Sequence, residues 1–236
     1  MRILISGGEG RFAQAFIKHN KEHELFAPNK RVMDITNKAA IEKMMTDYYP
    51  PDIFLHAAAF TRPMSKHNDD PIQSVNTNII GTANIVMACI EYDIKLIYIS
   101  TDYVYPGITG NYKEDDPLLS VNKYGWSKMG GECAVRLYDN SLILRMCMNN
   151  KPFPHLKAIV DIKKSLIYDD EAAQITHRLL GEKGIINVGG KSRSIYDFAK
   201  EENPDIEKMY FDDVKDVEIA KNTTLNIDKM KRLLEK

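Results

Sequence analysis

Short apolar runs alternate along the chain with longer stretches in which apolar residues recur at helical spacing. The runs at 3–6, 24–27, 53–56, 96–100 and 141–145 predict strands. The stretches at 11–20, 38–47, 71–92 and 121–138 predict helices between them. Strands that are apolar almost throughout are buried on both faces, so the alternation predicts a parallel sheet covered by helices on either side. Right-handed crossovers make this a doubly wound, Rossmann-type α/β fold. Ligands in such folds lie beyond the carboxyl ends of the strands.

After residue 145 the rhythm changes. Residues 149–154 (Asn-Asn-Lys-Pro-Phe-Pro) read as a loop. A helix at 171–180, a strand at 184–188, a turn at Gly189-Gly190, a short helix at 195–201 and an amphipathic helix at 227–234 follow. The expected division is a dinucleotide-binding domain at 1–148 and a small α/β substrate-binding region at 149–236. The second part is too short for a rich core of its own and is expected to pack on the first and close a cleft.

Composition removes several classes of function. Lys plus Arg number 32 and Asp plus Glu 33, a net charge of −1, which does not suit a nucleic-acid or anionic-membrane surface. The three cysteines, Cys89, Cys133 and Cys147, have no metal-type spacing, so no metal is expected. Their low, odd number suits a reducing cytoplasm. The first apolar run is too short for a signal peptide or a membrane span. A soluble, cytoplasmic protein is expected.

The candidate chemistry sits at strand ends. The first strand runs into Ser6-Gly7-Gly8-Glu9-Gly10-Arg11-Phe12-Ala13, a Gly-x-x-Gly-x-x-Ala turn opening a helix. Glycines permit the turn and let a pyrophosphate approach the backbone, while the helix start offers free N–H groups. Gly7, Gly10, Arg11 and Phe12 are therefore cofactor candidates. After the second strand, where an acidic residue commonly holds the ribose 2′-hydroxyl of NAD, the chain has Lys30 and Arg31. Two cations suit a 2′-phosphate, so NADP(H) is the expected cofactor, with NAD(H) the alternative. Asp34 and Ile35 are placed at the adenine edge, although Asp34 equally suits a turn cap. Ala57, Ala58 and Ala59 leave room for a cofactor after the third strand, or serve helix packing. Ser100 and Thr101 end the fourth strand with hydroxyls toward the cleft. Tyr124 and Lys128, four residues apart, share one helix face, where a lysine can lower a phenol's pKa for proton transfer.

With these residues in hand, the chain resembles the extended short-chain dehydrogenase/reductase superfamily, and within it the dTDP-4-dehydrorhamnose reductase group. The resemblance rests on Gly7-Gly8-Glu9-Gly10, Ala57-Ala58-Ala59 with Thr61, Ser-Thr-Asp-Tyr-Val-Tyr at 100–105, Tyr124-Gly-Trp-Ser-Lys128 with Gly131-Glu132, and Ile143-Leu144-Arg145. It covers about the first 145 residues. It implies reduction of a keto group on a nucleotide-linked deoxysugar by NADPH. Tyr124 would be the proton donor, Lys128 the residue that lowers its pKa and binds the nicotinamide ribose, and Thr101 the residue that orients the carbonyl. Related proteins dimerise through helices matching 71–92 and 121–138, so a homodimer is implied there. Tyr103 stands where related 4,6-dehydratases carry Glu, which argues against dehydration. Cys147 reads as a packed strand-end residue, His155 as a loop residue and Trp126 as packing.

The chain departs from the group at Arg62-Pro63-Met64-Ser65-Lys66-His67-Asn68, whose basic residues suit a sugar-nucleotide phosphate or plain solvent. Lys151, Lys157, Lys163, Lys164 and Arg193 are pyrophosphate candidates in the tail, each also readable as a surface charge. Two other readings remain open: a sugar-nucleotide epimerase of the same superfamily, and a non-catalytic, cofactor-binding regulatory subunit.

Overall fold

The computed structural model describes residues 1–235. Its centre is a six-stranded, all-parallel sheet built from β1 (Arg2–Ser6), β2 (Glu24–Phe26), β3 (Ile53–His56), β4 (Lys95–Thr101), β5 (Ser141–Met146) and a further strand, Gly184–Val188. Between β5 and that last strand lie four short ones: β6 (Met148–Asn149), β7 (Lys157–Ile159), β8 (Lys163–Lys164) and β9 (Ile167–Tyr168), which makes Gly184–Val188 β10. The order across the sheet is β10-β5-β4-β3-β1-β2. From β1 the chain steps to β2 on one side and to β3 on the other, so the topological switch point lies between β1 and β3. That is where a doubly wound sheet opens a crevice at its carboxyl edge.

The strands are buried because both faces are covered. Ile3, Ile5, Ile53, Leu55, Ile97, Ile99, Leu142 and Leu144 face one layer of core, and Leu4, Phe54, Leu96, Tyr98 and Ile143 the other. This is the period-two alternation of a pleated strand with apolar residues on both sides. The first layer is closed by α1 (Arg11–His19) through Phe12 and Phe16. On the second layer lie α2 (Lys38–Lys43), continued by a π-turn at Met44–Tyr48, and a long helix over residues 71–91.

That long helix follows the one-turn α3 (Lys66–Asp69). It comprises α4 (Pro71–Ser74), a π-turn at Val75–Ile80 and α5 (Gly81–Glu91). Asp70 caps its start through the Gln73 N–H, with Pro71 in the first turn. The π-turn coincides with an inward side chain. Asn78 bonds both the N–H and the carbonyl of Phe60, at 2.8 and 2.9 Å, and reaches the Ser127 hydroxyl at 2.8 Å. Ser127 belongs to α6 (Lys123–Val135), capped by Asn122. The loop after β3 is thereby tied to two helices.

Residues beyond 148 enter the main sheet. β10 pairs in register with β5 from Gly184↔Leu142 to Val188↔Met146. α7 (Asp169–Leu179) packs beside α1, where His177 stacks on Phe16 at 3.8 Å. β11 (Arg193–Ser194), α8 (Ile195–Lys200), β12 (Glu207–Met209) and α9 (Asp228–Leu234) complete the chain. β6 pairs with β9, β7 with β12, and β8 with β11. None of these six pairing segments, each two or three residues long, is among the strands that the sequence predicts. Among the described residues no helix is long and apolar enough to cross a membrane, and no group of acidic, histidine and cysteine side chains is placed to hold a metal.

Candidate active site

The β1–α1 turn is held open by close backbone contacts. Gly7 has φ +72°, and a Cβ there would lie 2.7 Å from the Ala58 Cα. A Cβ on Gly8 would lie 2.1 Å from the Ala27 carbonyl oxygen. Only glycine tolerates such geometry. The Gly10 N–H returns to the Gly7 carbonyl at 2.8 Å. No side chain caps the start of α1, and its first turn holds no acidic residue. The helix terminus therefore presents unpaired N–H groups and the positive end of its dipole.

A cleft of about 730 Å³ opens from this turn. Gly10, Arg11, Phe12, Ala57, Ala59, Ser100, Thr101, Tyr124 and Lys128 all line it. Sequence candidates from three strand ends and one helix thus meet in one place. A second hollow of about 640 Å³ is lined by Glu9, Asn29, Lys30, Arg31 and Asp34. There Asn29 holds the Arg31 and Val32 N–H groups, and Asp34 accepts from the Thr36 N–H and hydroxyl. Partial burial works against the Asp34 charge, but those bonds and Lys30, 3.7 Å away, hold its pKa below the ordinary value.

Three cofactor candidates, Gly7 within the turn itself, Ala58 and Ile35, line neither hollow. Ala58 packs behind the turn against Gly7 and donates its N–H to the Ser6 hydroxyl at 3.2 Å. Ile35 is buried against Gly81, and its carbonyl receives the Asn84 amide. A strand-end alanine and an apolar residue after an acid carry no sign of which way they turn, and here both turn into the packing.

The proton-transfer candidates have unusual environments. Burial pushes the Tyr124 phenol up to about 12, and Asp102 and Tyr103 add to this, while a hydrogen bond with Thr101 and the charge of Arg62 oppose it. Burial presses the Lys128 ammonium down to about 7, with Glu132 partly opposing. Lys128 Nζ lies 4.1 Å over the Tyr98 ring, and the Tyr98 hydroxyl donates to the Lys128 carbonyl at 3.1 Å. The Tyr124 phenol thus stands above its ordinary value in the free protein, because desolvation outweighs the groups that favour the phenolate.

Two buried ion pairs support the strand ends. Ser100 donates to Glu132 at 2.9 Å, and Glu132 takes a forked set of bonds from Arg145. Arg145 also donates to the Tyr105 hydroxyl at 2.7 Å, and Tyr105 donates to Asn187 of β10 at 2.9 Å. This network fixes β4, β5, α6 and β10 to one another. The second pair is Lys164 Nζ to Asp102 at 2.6 Å, bridged by the Thr223 hydroxyl.

Among the other basic residues, Lys164 lines the cleft, whereas Lys151, Lys157 and Arg193 pair with Glu202, Glu207 and Glu201, and Lys163 is exposed. Arg62 lines the cleft and, among the described residues, has no ion pair or hydrogen bond from its guanidinium. Cys147 and His155 also line it. Cys147 is packed with Leu166 and Phe198, its thiol pushed well up by burial, while His155 is exposed. Trp126 is 49% exposed and borders a separate surface hollow with Phe211 and Val214, so it is not the packing residue expected. His67 was not singled out. It is fully buried, bonded to Ser74 at 2.8 Å and packed 5.3 Å from the Tyr124 ring.

Fold and cleft define a Rossmann-type doubly wound α/β protein with its candidate site at the switch point. The chain belongs to the RmlD substrate binding domain family, which matches residues 1–148. It is 33% identical over 138 residues to dTDP-4-dehydrorhamnose reductase of Mycolicibacterium smegmatis, a match covering 57% of this chain and 41% of that relative. It is 29% identical over 143 residues to methionine adenosyltransferase 2 subunit beta of Xenopus laevis, covering 57% and 42%. The chain spans about half the length of the curated relatives it matches. In fold it is similar to a dTDP-4-dehydrorhamnose reductase from Bacillus anthracis solved in complex with NADP, with TM-score 0.88, 22% identity, and coverage of 98% of this chain and 92% of that one.

Proposed function

We propose that the chain reduces a keto group on a nucleotide-linked deoxysugar with NADP(H). The observation that carries this is the meeting of Thr101, Tyr124 and Lys128 in one cleft with the Gly7–Gly10 turn. The residues fit a dinucleotide on structural grounds. The positions where a Cβ would close the turn are glycines, and the uncapped start of α1 leaves N–H groups for a pyrophosphate. Gly10 with the N–H groups of Arg11 and Phe12 would hold that pyrophosphate. Ala57 and Ala59 leave the wall open for the nicotinamide half. Lys30 and Arg31 would take the 2′-phosphate. The nucleotide, when bound, supplies the hydride.

The chain's own residues do the rest. A phenol raised to about 12 is protonated at neutral pH, the form needed to give a proton to a developing alkoxide. Thr101, beside it, orients the carbonyl oxygen. Lys128 is the residue for the nicotinamide ribose, and its ammonium there would stabilise the phenolate left when Tyr124 gives up its proton. Residues 149–236 form the substrate side of this reading, because Asn149, His155, Lys164, Leu166 and Ile195 line the same cleft. Arg62, whose guanidinium has no partner among the described residues, is suited to a substrate phosphate.

The names of the reductase relatives, and the NADP held by a neighbour of the same fold, support the reading. The proposal includes a homodimer through the helices at 71–91 and α6, supported by exposed Ile72, Val75, Met87, Ile90 and Trp126. It also includes a reducing cytoplasm, which suits three free cysteines.

Relatives that are subunits of methionine adenosyltransferase favour a second reading, a cofactor-holding subunit without turnover. One experiment separates them. The protein is screened with 4-keto-6-deoxy sugar nucleotides and NADPH or NADH, following loss of reduced nicotinamide. Stoichiometric NADPH consumption supports the reductase. NADPH binding without consumption supports the subunit, and tightly held NAD⁺ that survives dialysis supports an epimerase.

A further inference from the structure

Thr101 has one hydroxyl proton, and the structure shows where it goes. Its Oγ1 donates to Asp102 Oδ1 at 3.2 Å and accepts from the Tyr103 N–H at 3.3 Å. The same hydroxyl lies beside the Tyr124 phenol and works against the rise in its pKa. The direction of the hydroxyl is thus set by Asp102. Asp102 is in turn held through its other oxygen. Oδ2 receives Lys164 Nζ at 2.6 Å and the Thr223 hydroxyl, and Lys164 also donates to Thr223 at 2.8 Å. The Lys164 and Asp102 side chains are only 6% and 2% exposed, and Lys164 Nζ lies 3.9 Å over the Tyr103 ring. Lys164 and Thr223 both lie beyond the stretch that matches the family.

We propose that Lys164 is a positioning residue for the reaction: it fixes Asp102, through it the Thr101 hydroxyl, and neutralises the charge beside Tyr124. This rests on the reductase reading above. The groups facing Asp102 are Lys164 from β8, Tyr103 from its own turn, Cys147 after β5 and Tyr124 from α6, with Arg62 opposite Tyr124 and Cys147. Burial works against the Lys164 charge, but Asp102 holds its pKa above the ordinary value, so Lys164 is cationic across the working range. No other cation is hydrogen-bonded to Asp102 among the described residues. Without Lys164 the buried carboxyl would hold its proton to higher pH. A protonated Asp102 no longer accepts reliably from Thr101, and the hydroxyl turns.

The test is the pH profile of kcat for Lys164→Met, Lys164→Arg, Thr223→Val and the double variant Lys164→Met/Asp102→Asn. Lys164→Met is expected to lose at least about tenfold in kcat near pH 6, the scale of one charged hydrogen bond. It should recover as pH rises through a new acid limb between about pH 5 and 8, the range of a buried unpaired carboxyl. Lys164→Arg should restore the wild-type shape, and the double variant should be low and flat because the titrating group is gone. NADPH affinity should change less than about threefold throughout.

A second readout needs no turnover. A buried carboxyl that loses its cation binds its proton more tightly in the folded than in the unfolded chain. Stability is then retained below about pH 4 and lost as pH rises through the folded pKa. The melting temperature of Lys164→Met should fall across that window relative to the double variant. If Lys164→Met does not fold, Thr223→Val decides, with an acid limb displaced upward by about half a pH unit or more. Parallel wild-type and Lys164→Met profiles, or a Thr223→Val profile superposed on wild type, overturn the role of Lys164 alone. A wild type that binds NADPH and turns over none of the sugars overturns the reading beneath it.

Discussion

Replacing Lys128 with methionine should stabilise the free protein while removing its activity. Lys128 is 3% exposed, and its ammonium sits over an aromatic ring. The drop from an ordinary value of 10.5 to about 7 corresponds to roughly 5 kcal/mol of disfavoured charge below pH 7, by the conversion of about 1.4 kcal/mol per pH unit. Methionine keeps most of the volume and carries no charge, so part of that cost is recovered. Taking half of it for repacking leaves about 2 kcal/mol. For a chain of this size that is a rise of about 4–8 °C in melting temperature near pH 6. The sign with pH follows from linkage. A lysine whose folded pKa is lowered binds fewer protons folded than unfolded between about 7 and 10.5, so wild-type stability rises with pH across that window. The advantage of Lys128→Met should therefore shrink between pH 7 and 10. Differential scanning fluorimetry at several pH values measures it, with NADPH consumption recorded in parallel. A variant less stable than wild type at pH 6, or a difference unchanged from pH 6 to 10, would refute the claim that desolvation governs this lysine.

Other outcomes test neighbouring parts of the site. Tyr124→Phe is expected to keep NADPH binding and lose at least about a hundredfold in turnover, the usual scale of general acid catalysis; unchanged turnover would remove Tyr124 from its role. Lys30→Ala/Arg31→Ala should weaken NADPH by at least about tenfold and leave NADH nearly unaffected, since each charged contact contributes about 1.5–3 kcal/mol; titration calorimetry with both nucleotides decides. Glu132→Gln leaves Arg145 buried without its anion, at a cost of about 3–5 kcal/mol. Its melting temperature should fall by roughly 6–20 °C, and a fall below about 2 °C would count against the network.

The parts of the fold visible in the sequence are those whose cause is local or periodic. Strands such as 53–56 and 184–188 are apolar runs bounded by turn residues, and both occur where expected. The glycine turn was legible because Gly7 and Gly8 stand where the backbone admits no side chain. Tyr124 and Lys128 were legible from helical spacing, which places them on one face whatever surrounds them. Their pKa values were not, because those depend on how much water the assembled cleft excludes. Asp102 was visible, but its partner Lys164 lies 62 residues away in a two-residue strand. No local pattern announces that pairing. Trp126 shows the converse error: a large apolar residue between two functional ones invites burial, yet its helix turns it outward.

The sixth strand has a consequence for where this protein can be cut. All six residues of β5 are buried, and β10 covers its outer edge from a segment that lies after the family match ends. A fragment stopping at residue 148 would present a long apolar edge to solvent, the template along which chains join edge to edge. It would also strip α1 of α7 and leave Arg145 without Asn187 beyond Tyr105. Such a fragment is expected to precipitate or to sediment as large assemblies. The stretch that matches the family and the sheet it helps to build end at different residues, and the sheet reaches further along the chain.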